Sequence, residues 1–489
     1  MRNLTMMTDL YQLTMMQGYY EHGMHENLAA FDLFFRRPPQ SVSYAVAAGL
    51  EEAIDYIDNL SFDEHDIAYL ASLGIFSESF LAWLRTFRFT GDIDAIPEGT
   101  MVFPQEPLVR VTAPIAQAQL VETAMLNLIN HQTLIATKAS RVVEAAGNDG
   151  VLEFGLRRAQ GPDAGIYGAR ASIIGGCAAT SNVMTGQMFG IPVRGTHAHS
   201  WVMSFPDELS SFRAYAKVFP RECLLLVDTY DTLKSGVPNA IKVFEELRAQ
   251  GIEPVGIRLD SGDLAYLSRQ ARKMLDAAGF TKARIYASGD LDEKVIWDLK
   301  AQGAAIDVWG VGTRLITSDD QPALGGVYKL AAERVGDAWI PKMKVSDNPA
   351  KMTNPGLKRL WRIYDDAGMA QADLIGLEDD AIDATKPLNL FDPLETWKRM
   401  TLEDYTVRDM LVPIYRQGQK VYASPPLSDI AAYAKAERAT FWQQYRRLSN
   451  PHVYKVDLST RLWQLRQTML SGKPAPEGAV PDLQEPSDQ

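Results

Sequence analysis

The sequence is short of cysteine, of basic charge and of uninterrupted apolar segments, and each shortage excludes a class of protein. Only two of its 489 residues are cysteines, Cys177 and Cys223, which are too few for a disulfide framework or a cysteine-rich zinc site. The 61 aspartates and glutamates outnumber the 49 lysines and arginines, and the net charge is −12. A nucleic-acid backbone is therefore not an expected partner.

Membrane insertion and secretion are not expected either. Residues 171–193 carry no charge, but they are rich in Gly, Ser, Thr, Asn and Gln, so we interpret them as a packed helix and turn. Near the N-terminus, Asp9 interrupts the chain before any apolar region long enough for a signal peptide. With 46% hydrophobic and 22% charged residues, the composition is that of a globular protein with a large core, and we expect it in the reducing cytoplasm.

Two nucleotide-binding motifs are also missing. No GxGxxG or Walker A spacing occurs in the chain, so neither a dinucleotide fold nor a P-loop is supported. Small polyanions remain candidate ligands, but only where arginine and lysine cluster locally.

The middle of the chain alternates strand-like and helix-like segments, which predicts parallel strands joined by right-handed crossovers. The predicted strands are 151–155, 191–195, 223–228, 254–260, 284–288 and 307–310, and helical patterns include 238–250, 264–278 and 292–302. Before this region, helical patterns at 4–20 and 46–87 alternate with β-rich stretches at 31–37 and 91–113. A long helical pattern then covers 117–145. After the middle region, strand-like pieces precede a helical region at 429–470.

Histidines are scarce, yet two of the seven lie close together in RGTHAHSW, residues 194–201. This octapeptide follows the apolar run 189–193, which predicts a buried strand that delivers side chains to an open edge. Three interpretations of His197 and His199 compete at this point: a metal pair, two structural rings that cap backbone groups, or one ring that acts as a nucleophile or phosphate carrier. Only His452 lies after His199, so further histidine ligands for a metal are lacking.

Polar residues follow every predicted strand of the middle region, and all of them would lie on one rim of the sheet or barrel, where active sites assemble. Each aspartate taken alone is better explained as a helix N-cap. Together, carboxylates for Mg²⁺ and sugar hydroxyls, arginines for phosphate charge, and the Gly312–Thr313 backbone indicate a site for a phosphorylated sugar. The rim consists of Arg157, Arg158, His197, His199, Asp228–Asp231, Arg258, Asp260–Asp263, Gly289, Asp290, Gly310, Gly312 and Thr313.

Several strings, in order along the chain, resemble the nicotinate phosphoribosyltransferase family. They are TDLYQLTM (8–15), FDLFFRR (31–37), LEFGLRRAQGPD (152–163), TSNV (180–183), GTHAHS (195–200), VDTYDT (227–232), GIRLDSGDL (256–264), GVGT (310–313) and GGVYKL (325–330). The resemblance implies an α/β fold: an irregular parallel α/β barrel plus an N-terminal α+β sandwich domain completed by C-terminal segments. The implied bounds are 1–135, 136–335 and 336–470. Separately, the Pro-, Gly- and acid-rich composition of 471–489 predicts a disordered tail.

The resemblance also implies an activity. Nicotinate and 5-phosphoribosyl-1-pyrophosphate would give nicotinate mononucleotide and pyrophosphate in NAD salvage, with Mg²⁺ as cofactor. ATP would be a co-substrate, hydrolysed through a phosphohistidine, as in an ATP-dependent ligase. The protein would be a homodimer with each active site at the subunit interface.

Site residues follow from the resemblance position by position. His199 matches the phosphorylated histidine, with His197 as its neighbour. Arg258 and Asp260 are implied as catalytic, Asp260 also as a magnesium ligand. Tyr11 resembles the tyrosine that a partner subunit lends to stack on the pyridine ring, Phe154 is a candidate for its opposite face, and Arg157 for contact with anionic groups. Further substrate-binding candidates from the resemblance are Ser261, Gly262, Gly289, Gly312 and Thr313, and the polar rim adds Asp228 and Asp290.

Substrate choice is inferred from Ser181. The related nicotinamide-using enzymes have an aspartate in the matching stretch, whereas Ser181 and Asn182 carry no charge. An aspartate would accept from a carboxamide and repel a carboxylate, so nicotinate is expected here. Three alternatives remain at this point: a quinolinate transferase, a metal-dependent barrel hydrolase using His197 and His199, and a phosphosugar-binding protein without catalysis.

Overall fold

A computed structural model describes residues 3–39, 42–345, 352–474 and 480–484. The chain divides into two compact units: residues 1–134 with 323–489 form the first, and residues 135–322 form the second. The second unit ends before the predicted boundary at 335. The reason is that residues 326–335 form a strand that pairs with the N-terminal strand 28–35 of the first unit.

The N-terminal part of the chain begins with a helix at Leu10–Glu21, six residues later than the pattern predicted. Its elements are α1 (Leu10–Glu21), β1 (Leu28–Phe35), β2 (Ala45–Val46), α2 (Leu50–Asp58), α3 (Glu64–Ser72), α4 (Glu78–Leu84), β3 (Asp92–Ala95), β4 (Met101–Val102), β5 (Val109–Pro114), α5 (Ile115–Leu120) and α6 (Glu122–Ala146).

The middle part alternates strands and helices as predicted. Its elements are β6 (Gly150–Glu153), α7 (Pro162–Ile174), β7 (Ala179–Thr180), α8 (Val183–Phe189), α9 (His199–Met203), α10 (Glu208–Val218), β8 (Leu224–Leu226), α11 (Val237–Arg248), β9 (Gly256–Leu259), α12 (Leu264–Ala277), β10 (Arg284–Ser288), α13 (Glu293–Ala301), β11 (Val308–Val311) and α14 (Thr313–Ile316).

The C-terminal part is mostly antiparallel. Its elements are β12 (Gly326–Val335), β13 (Ala338–Pro341), β14 (Lys358–Tyr364), β15 (Ala370–Leu377), β16 (Leu388–Phe391), β17 (Arg399–Leu402), β18 (Thr406–Asp409), β19 (Val412–Arg416), β20 (Gln419–Lys420), α15 (Leu427–Ala439), α16 (Gln443–Arg446), β21 (Val456–Leu458) and α17 (Thr460–Ser471).

The first unit is built on a seven-stranded sheet in the order β13-β12-β1-β5-β3-β19-β20. Strand β1 pairs antiparallel with both β5 and β12, and β3 pairs antiparallel with β19. Strands from the C-terminal part therefore lie on both sides of the three N-terminal strands in one sheet, so the C-terminal segments complete the N-terminal fold. A four-stranded sheet, β18-β14-β15-β21, belongs to the same unit.

A buried ion cluster ties the four-stranded sheet to its surroundings in the first unit. Arg362 on β14 is fully buried and binds Asp373 and Glu437, with Nη2 2.5 Å from Asp373 and Nη1 2.5 Å from Glu437. Arg362 also donates to the carbonyl of Met101 at 2.8 Å. Every buried charge in this cluster has a partner of opposite sign, which offsets the cost of removing it from water.

Part of the predicted disordered tail packs onto the first unit. The hydroxyl of Thr460 on α17 donates to the carbonyl of Pro481 at 2.7 Å, and Val480 is buried in the hydrophobic core. The backbone N–H of Asn389 donates to the carbonyl of Leu483 at 2.9 Å. These partners lie far away in sequence, so the composition of the tail did not reveal them; residues 475–479 and 485–489 lie outside the described residues.

The second unit contains a six-stranded parallel sheet in the order β7-β6-β11-β10-β9-β8. Helices α11, α12 and α13 connect successive strands from β8 to β11, which confirms the predicted parallel α/β fold. Residues 171–193 form the end of α7, β7 and α8, and none of the helices in the described ranges has the length and apolar character needed to span a bilayer.

The predicted strand at 191–195 is wrong. Residues 189–193 do not cross the sheet as a strand; Phe189 ends α8, and Val193 makes only an isolated parallel bridge to Thr180. The backbone N–H of Thr180 donates to Pro192, and that of Arg194 donates to Thr180. The apolar run therefore extends the sheet beyond β7 by one bridge rather than as a regular strand.

The same segment reaches the opposite edge of the sheet through side chains. The hydroxyl of Thr196 donates to the carbonyl of Leu224 on β8, and the backbone N–H of Leu226 donates to Nε2 of His197 at 3.3 Å. Residues 192–197 thus join the β7 edge to the β8 edge. The second unit is therefore an irregular barrel, closed by a segment that is not itself a strand.

Closure through His197 predicts a specific pH dependence of stability. Burial lowers the pKa of His197 to about 4, below its ordinary value near 6.5. Between these two values the unfolded chain binds a proton that the folded chain does not. The free energy of unfolding should therefore fall by about 3 kcal/mol as the pH drops from 6.5 to 4. Urea denaturation at a series of pH values measures this change in the free energy of unfolding.

The matched control is His197→Gln, whose amide oxygen can accept the same backbone N–H without titrating. The difference in stability between wild type and this variant should narrow steadily below pH 6.5. A difference that stays constant from pH 7 to pH 4 would contradict the role assigned to His197.

Candidate active site

A cavity of about 660 Å³ opens at the carboxyl ends of the parallel strands of the second unit. Its lining includes most of the residues predicted from the sequence: Phe154, Arg157, Ser181, His199, Arg258, Asp260, Gly289, Asp290, Gly312 and Thr313. The loops after strands β6, β7, β9, β10 and β11 each contribute at least one of them. This position is where parallel α/β folds assemble active sites.

His199 stands at the first position of α9, with 38% of its side chain exposed to the cavity side. Its Nε2 lies 3.2 Å from Oδ1 of Asp228, which is almost fully buried. A carboxylate only accepts hydrogen bonds, so Nε2 carries the ring proton in this pair. The lone pair of a neutral ring is then on Nδ1, where it can accept a proton or attack an electrophile.

Asp228 also holds the loop that follows β9. Its second oxygen, Oδ2, accepts from the backbone N–H of Asp260 and from the hydroxyl of Ser261, both at 2.8 Å. Asp228 itself does not line the cavity, and it acts there through His199, Asp260 and Ser261. The neighbouring Asp231 and Asp263 are helix caps, as the simpler interpretation of these aspartates predicted.

Arg258 and Asp260 form an ion pair within this loop region. Nη2 of Arg258 lies 2.8 Å from Oδ1 of Asp260, and Nε of Arg258 donates to Ser288 at 2.8 Å. Burial acts to raise the pKa of Asp260, but the hydrogen bond from Ser288 and the charge of Arg258 outweigh it and lower the pKa below its ordinary value. Asp260 is therefore an anion at neutral pH, available to a cation or to hydroxyl groups.

Ser288 was missed by the sequence analysis, although it ends β10 directly before Gly289. Gly289 has a φ of +99°, and a Cβ there would lie 2.3 Å from the carbonyl oxygen of Asp260. Only glycine lets the β10 loop approach the β9 loop this closely.

The ring of Phe154 fills space that another glycine leaves open. A Cβ on Gly310 would lie 2.6 Å from the Phe154 ring, and the guanidinium carbon of Arg258 lies 5.9 Å from the ring centroid. Phe154 therefore packs against Gly310 and contributes an aromatic ring to the cavity lining. Arg157 lies nearby in the short 3₁₀ helix Leu156–Arg158.

The two histidines of the octapeptide have different environments. His197 is 7% exposed, accepts from the backbone of Leu226, and packs edge-on against Tyr215 with ring centroids 4.8 Å apart. Its Nε2 and that of His199 therefore bind separate partners. Within the described ranges no group of three or more His, Cys, Asp and Glu side chains is arranged to hold a metal ion. This donor geometry does not favour a two-histidine metal centre.

Four of the predicted site residues are not part of the cavity lining: Tyr11, Asp228, Ser261 and Gly262. Gly262, with a φ of +83°, lies in the turn beyond Ser261, which Asp228 holds. Tyr11 lies on α1 in the first unit, where 47% of its surface is exposed. Asp290, also in the left-handed region with a φ of +45°, does line the cavity beside Gly289.

Sequence comparisons extend over almost the whole chain. Residues 6–130 match the family model of the nicotinate phosphoribosyltransferase (NAPRTase) N-terminal domain, and residues 357–466 match that of the C-terminal domain. The chain is 48% identical to the nicotinate phosphoribosyltransferase of Bacillus subtilis, with 94% of each chain covered. It is 34% identical to the human nicotinate phosphoribosyltransferase, covering 96% of this chain and 97% of the human one.

Comparison with solved structures agrees with the sequence matches. The crystal structure of human nicotinic acid phosphoribosyltransferase superposes with a TM-score of 0.84 at 32% identity, covering 94% of this chain and 99% of the human one. A nicotinate-nucleotide pyrophosphorylase from Pyrococcus furiosus superposes with a TM-score of 0.68 at 21% identity, covering 89% of this chain and 95% of its own, which shows a shared fold. The cavity, the loops around it and these matches together show that the chain belongs to the nicotinate phosphoribosyltransferase family.

Proposed function

We propose that the protein transfers the phosphoribosyl group of 5-phosphoribosyl-1-pyrophosphate to nicotinate, giving nicotinate mononucleotide and pyrophosphate, with coupled hydrolysis of ATP. The family membership supports the transfer reaction. The coupling to ATP is supported by the hydrogen-bonded series His199–Asp228–Asp260–Arg258. This series connects the proposed nucleophilic ring of His199 to the Arg258–Asp260 ion pair, and both line the same cavity.

The transfer step needs charge stabilisation more than proton transfer. Breaking the anomeric C–O bond develops positive charge on the ribose and negative charge on the departing pyrophosphate. Arg258 supplies a cation to the phosphates, and the backbone around Gly289, Gly312 and Thr313 surrounds the 5′-phosphate. The pyridine nitrogen is itself the nucleophile, so it needs alignment rather than a base, and the Phe154 ring supports that alignment.

Mg²⁺ fits this site as a partner of the substrate. Mg²⁺ is commonly held by one or two carboxylates together with substrate phosphates, so a full set of protein ligands is not required. Asp260 is kept anionic, its Oδ1 binds Arg258, and 30% of its side chain is exposed. We assign Asp260 as the residue that would hold the ion, which when bound neutralises charge on the pyrophosphate.

His199 is the phosphate carrier in this proposal. Its Nδ1 attacks the γ-phosphorus of ATP, an N–P bond forms, and the P–O bond to ADP breaks. Water later cleaves the N–P bond and releases inorganic phosphate. The phosphoryl group places negative charge beside the pyrophosphate site, so it changes the affinities for substrate and product and couples ATP hydrolysis to synthesis.

A second copy of the chain completes the site in this proposal. Tyr11 would be lent by the partner subunit to stack on the pyridine ring. Two exposed apolar patches support such a dimer, because apolar surface of this kind is common at subunit contacts. One patch lies on α1 and the other on α8 beside the cavity residue Ser181: Leu10, Tyr11 and Met15, and Val183, Met184 and Met188, respectively.

The variant His199→Ala tests ATP coupling. Without the ring, ATP should neither be hydrolysed nor raise the rate, while slow ATP-independent formation of nicotinate mononucleotide should persist. The stimulation lost should be on the order of tenfold, as for a typical coupling free energy. Mononucleotide and ADP are measured together; His65→Ala, an exposed histidine of the first unit, is the control. Full ATP stimulation in His199→Ala would refute the phosphohistidine.

Charge at Ser181 tests substrate choice. Ser181→Asp should lower kcat/KM for nicotinate by about a hundredfold or more, since a like charge in contact costs several kcal/mol, and should improve use of nicotinamide. Ser181→Asn has the same size as the aspartate without its charge and should keep the preference for nicotinate. Unchanged kinetics with both pyridines in Ser181→Asp would contradict the assignment.

Subunit mixing tests the shared site. Tyr11→Ala and His199→Ala should each have little ATP-stimulated activity at low nicotinate concentration. When the two variants are co-expressed, mixed dimers should hold one intact site each and recover about a quarter of wild-type activity, because half of random dimers are mixed. Activity no higher than the mean of the two parents would show that Tyr11 acts within its own subunit or not at all.

A further inference from the structure

Glu153 is a fully buried carboxyl group at the end of β6 that the proposed reaction does not use. It lies directly before Phe154, whose aromatic ring lines the cavity, yet Glu153 does not line the cavity itself. A buried carboxylate costs free energy unless hydrogen-bond donors converge on it. The donors that converge on Glu153 belong to two different loops of the site.

The first loop is the one that leaves β6. The backbone N–H of Gly155 donates to Oε1 of Glu153. This hydrogen bond fixes the turn between Phe154 and the short 3₁₀ helix that carries Arg157. Both of these side chains line the cavity.

The second loop is the one that leaves β7. The hydroxyl of Thr180 donates to Oε2 of Glu153 at 2.6 Å, and the same hydroxyl oxygen accepts from the backbone N–H of Asn182 at 3.0 Å. The backbone N–H of Ser181 donates to the carbonyl of Glu153 at 3.0 Å. Thr180 binds Glu153 directly, and Asn182 binds it through Thr180. Ser181 therefore lies between two residues that Glu153 holds in place.

The same threonine also anchors the segment that closes the barrel. Its backbone carbonyl accepts from the N–H of Arg194 at 3.0 Å, and its backbone N–H donates to Pro192 at 3.1 Å. Glu153 therefore acts on the start of the segment that leads to His199, but only through backbone hydrogen bonds of Thr180. Its direct contacts are with the two loops that carry Phe154, Arg157 and Ser181.

We propose that Glu153 is a positioning residue of the pyridine subsite: its two carboxylate oxygens hold the Phe154–Arg157 turn and the Thr180–Asn182 turn at the separation that a flat aromatic acid requires. The inference rests on the proposed function, because that function assigns the pyridine substrate to these loops. Glu153 does not touch the substrate. It determines where the residues that do touch it are placed.

This positioning role requires a side chain with two oxygens that both accept hydrogen bonds, as a carboxylate does. Burial raises the pKa of Glu153, and the donations from Thr180 and Gly155 act in the opposite direction. An amide at this position would offer only one accepting oxygen, so its NH₂ group would meet either the N–H of Gly155 or the hydroxyl of Thr180. One of the two turns would then lose its anchor.

Steady-state kinetics of Glu153→Gln provide the test. The KM for nicotinate should rise about tenfold, as expected when one hydrogen bond to a charged group is lost. The KM for phosphoribosyl pyrophosphate should change less than twofold, because Arg258, Gly289 and Gly312 lie on other loops. Labelling of His199 by [γ-³²P]ATP should also be retained.

A second pair of variants keeps the test valid if Glu153→Gln folds poorly. Thr180→Val preserves shape and removes the hydroxyl, and it should reproduce the selective rise in the nicotinate KM. Thr180→Ser keeps the hydroxyl and should stay near wild type. Glu208→Gln alters another buried carboxyl of the second unit, which accepts from Asn239 at 2.9 Å, and it should leave both KM values unchanged.

The outcomes separate this inference from the proposed function. A wild-type protein that does not turn over nicotinate would refute the proposed function. If wild type turns over nicotinate while Thr180→Val and Glu153→Gln keep its KM, or change both KM values equally, Glu153 has only a structural role and the inference is overturned. A selective rise in the nicotinate KM that Thr180→Ser does not show would establish it.

Discussion

The carboxylate of Asp228 is the contact on which the geometry of the site depends. One oxygen binds Nε2 of His199, and the other accepts from Asp260 and Ser261. A single buried side chain on the loop after β8 therefore orients the histidine of α9 and the loop of β9 together. Removing it would leave a ring without a defined tautomer and two donors without an acceptor. Because its partners come from two separate segments, α9 and the loop after β9, Asp228 links the position of the His199 ring to that of the Arg258–Asp260 ion pair.

Closure of the barrel also helps to position His199 and its partners. The segment 192–197 is not a strand, yet it joins the two edges of the parallel sheet through backbone bonds at Thr180 and a ring nitrogen at His197. Two residues further on, His199 binds Asp228, which follows β8. In a regular barrel a strand would fix the direction of each side chain by its pleat. Here side-chain hydrogen bonds fix those directions instead. His197 and Glu153 therefore position the neighbouring loops, which strand pairing does elsewhere in the second unit.

The sequence was sufficient to predict the rim but not its internal contacts. Strand ends could be located because buried parallel strands are short apolar runs followed by polar turns, and Asp260, Gly289 and Thr313 all lie where this rule put them. The segment 191–195 was wrongly predicted as a strand, since its apolar residues pack without a regular ladder. Ser288 and Glu153 were missed because a serine or glutamate at a strand end has no distinctive spacing. Their roles depend on Arg258, Asp260 and Thr180, which lie 27 to 30 residues away along the chain. The sheet of the first unit combines strands from both ends of the chain, as the family resemblance implied, although no local pattern indicates which strands pair.

We propose that Asp228 holds the proton of His199 on Nε2 and so makes Nδ1 the nucleophile. Phosphorus NMR of the phosphorylated protein, assigned against the two phosphohistidine isomers, tests it most directly. Incubation with ATP should place a phosphoryl group on Nδ1 of His199. A phosphoryl group on Nε2, or on a residue other than His199, would contradict it.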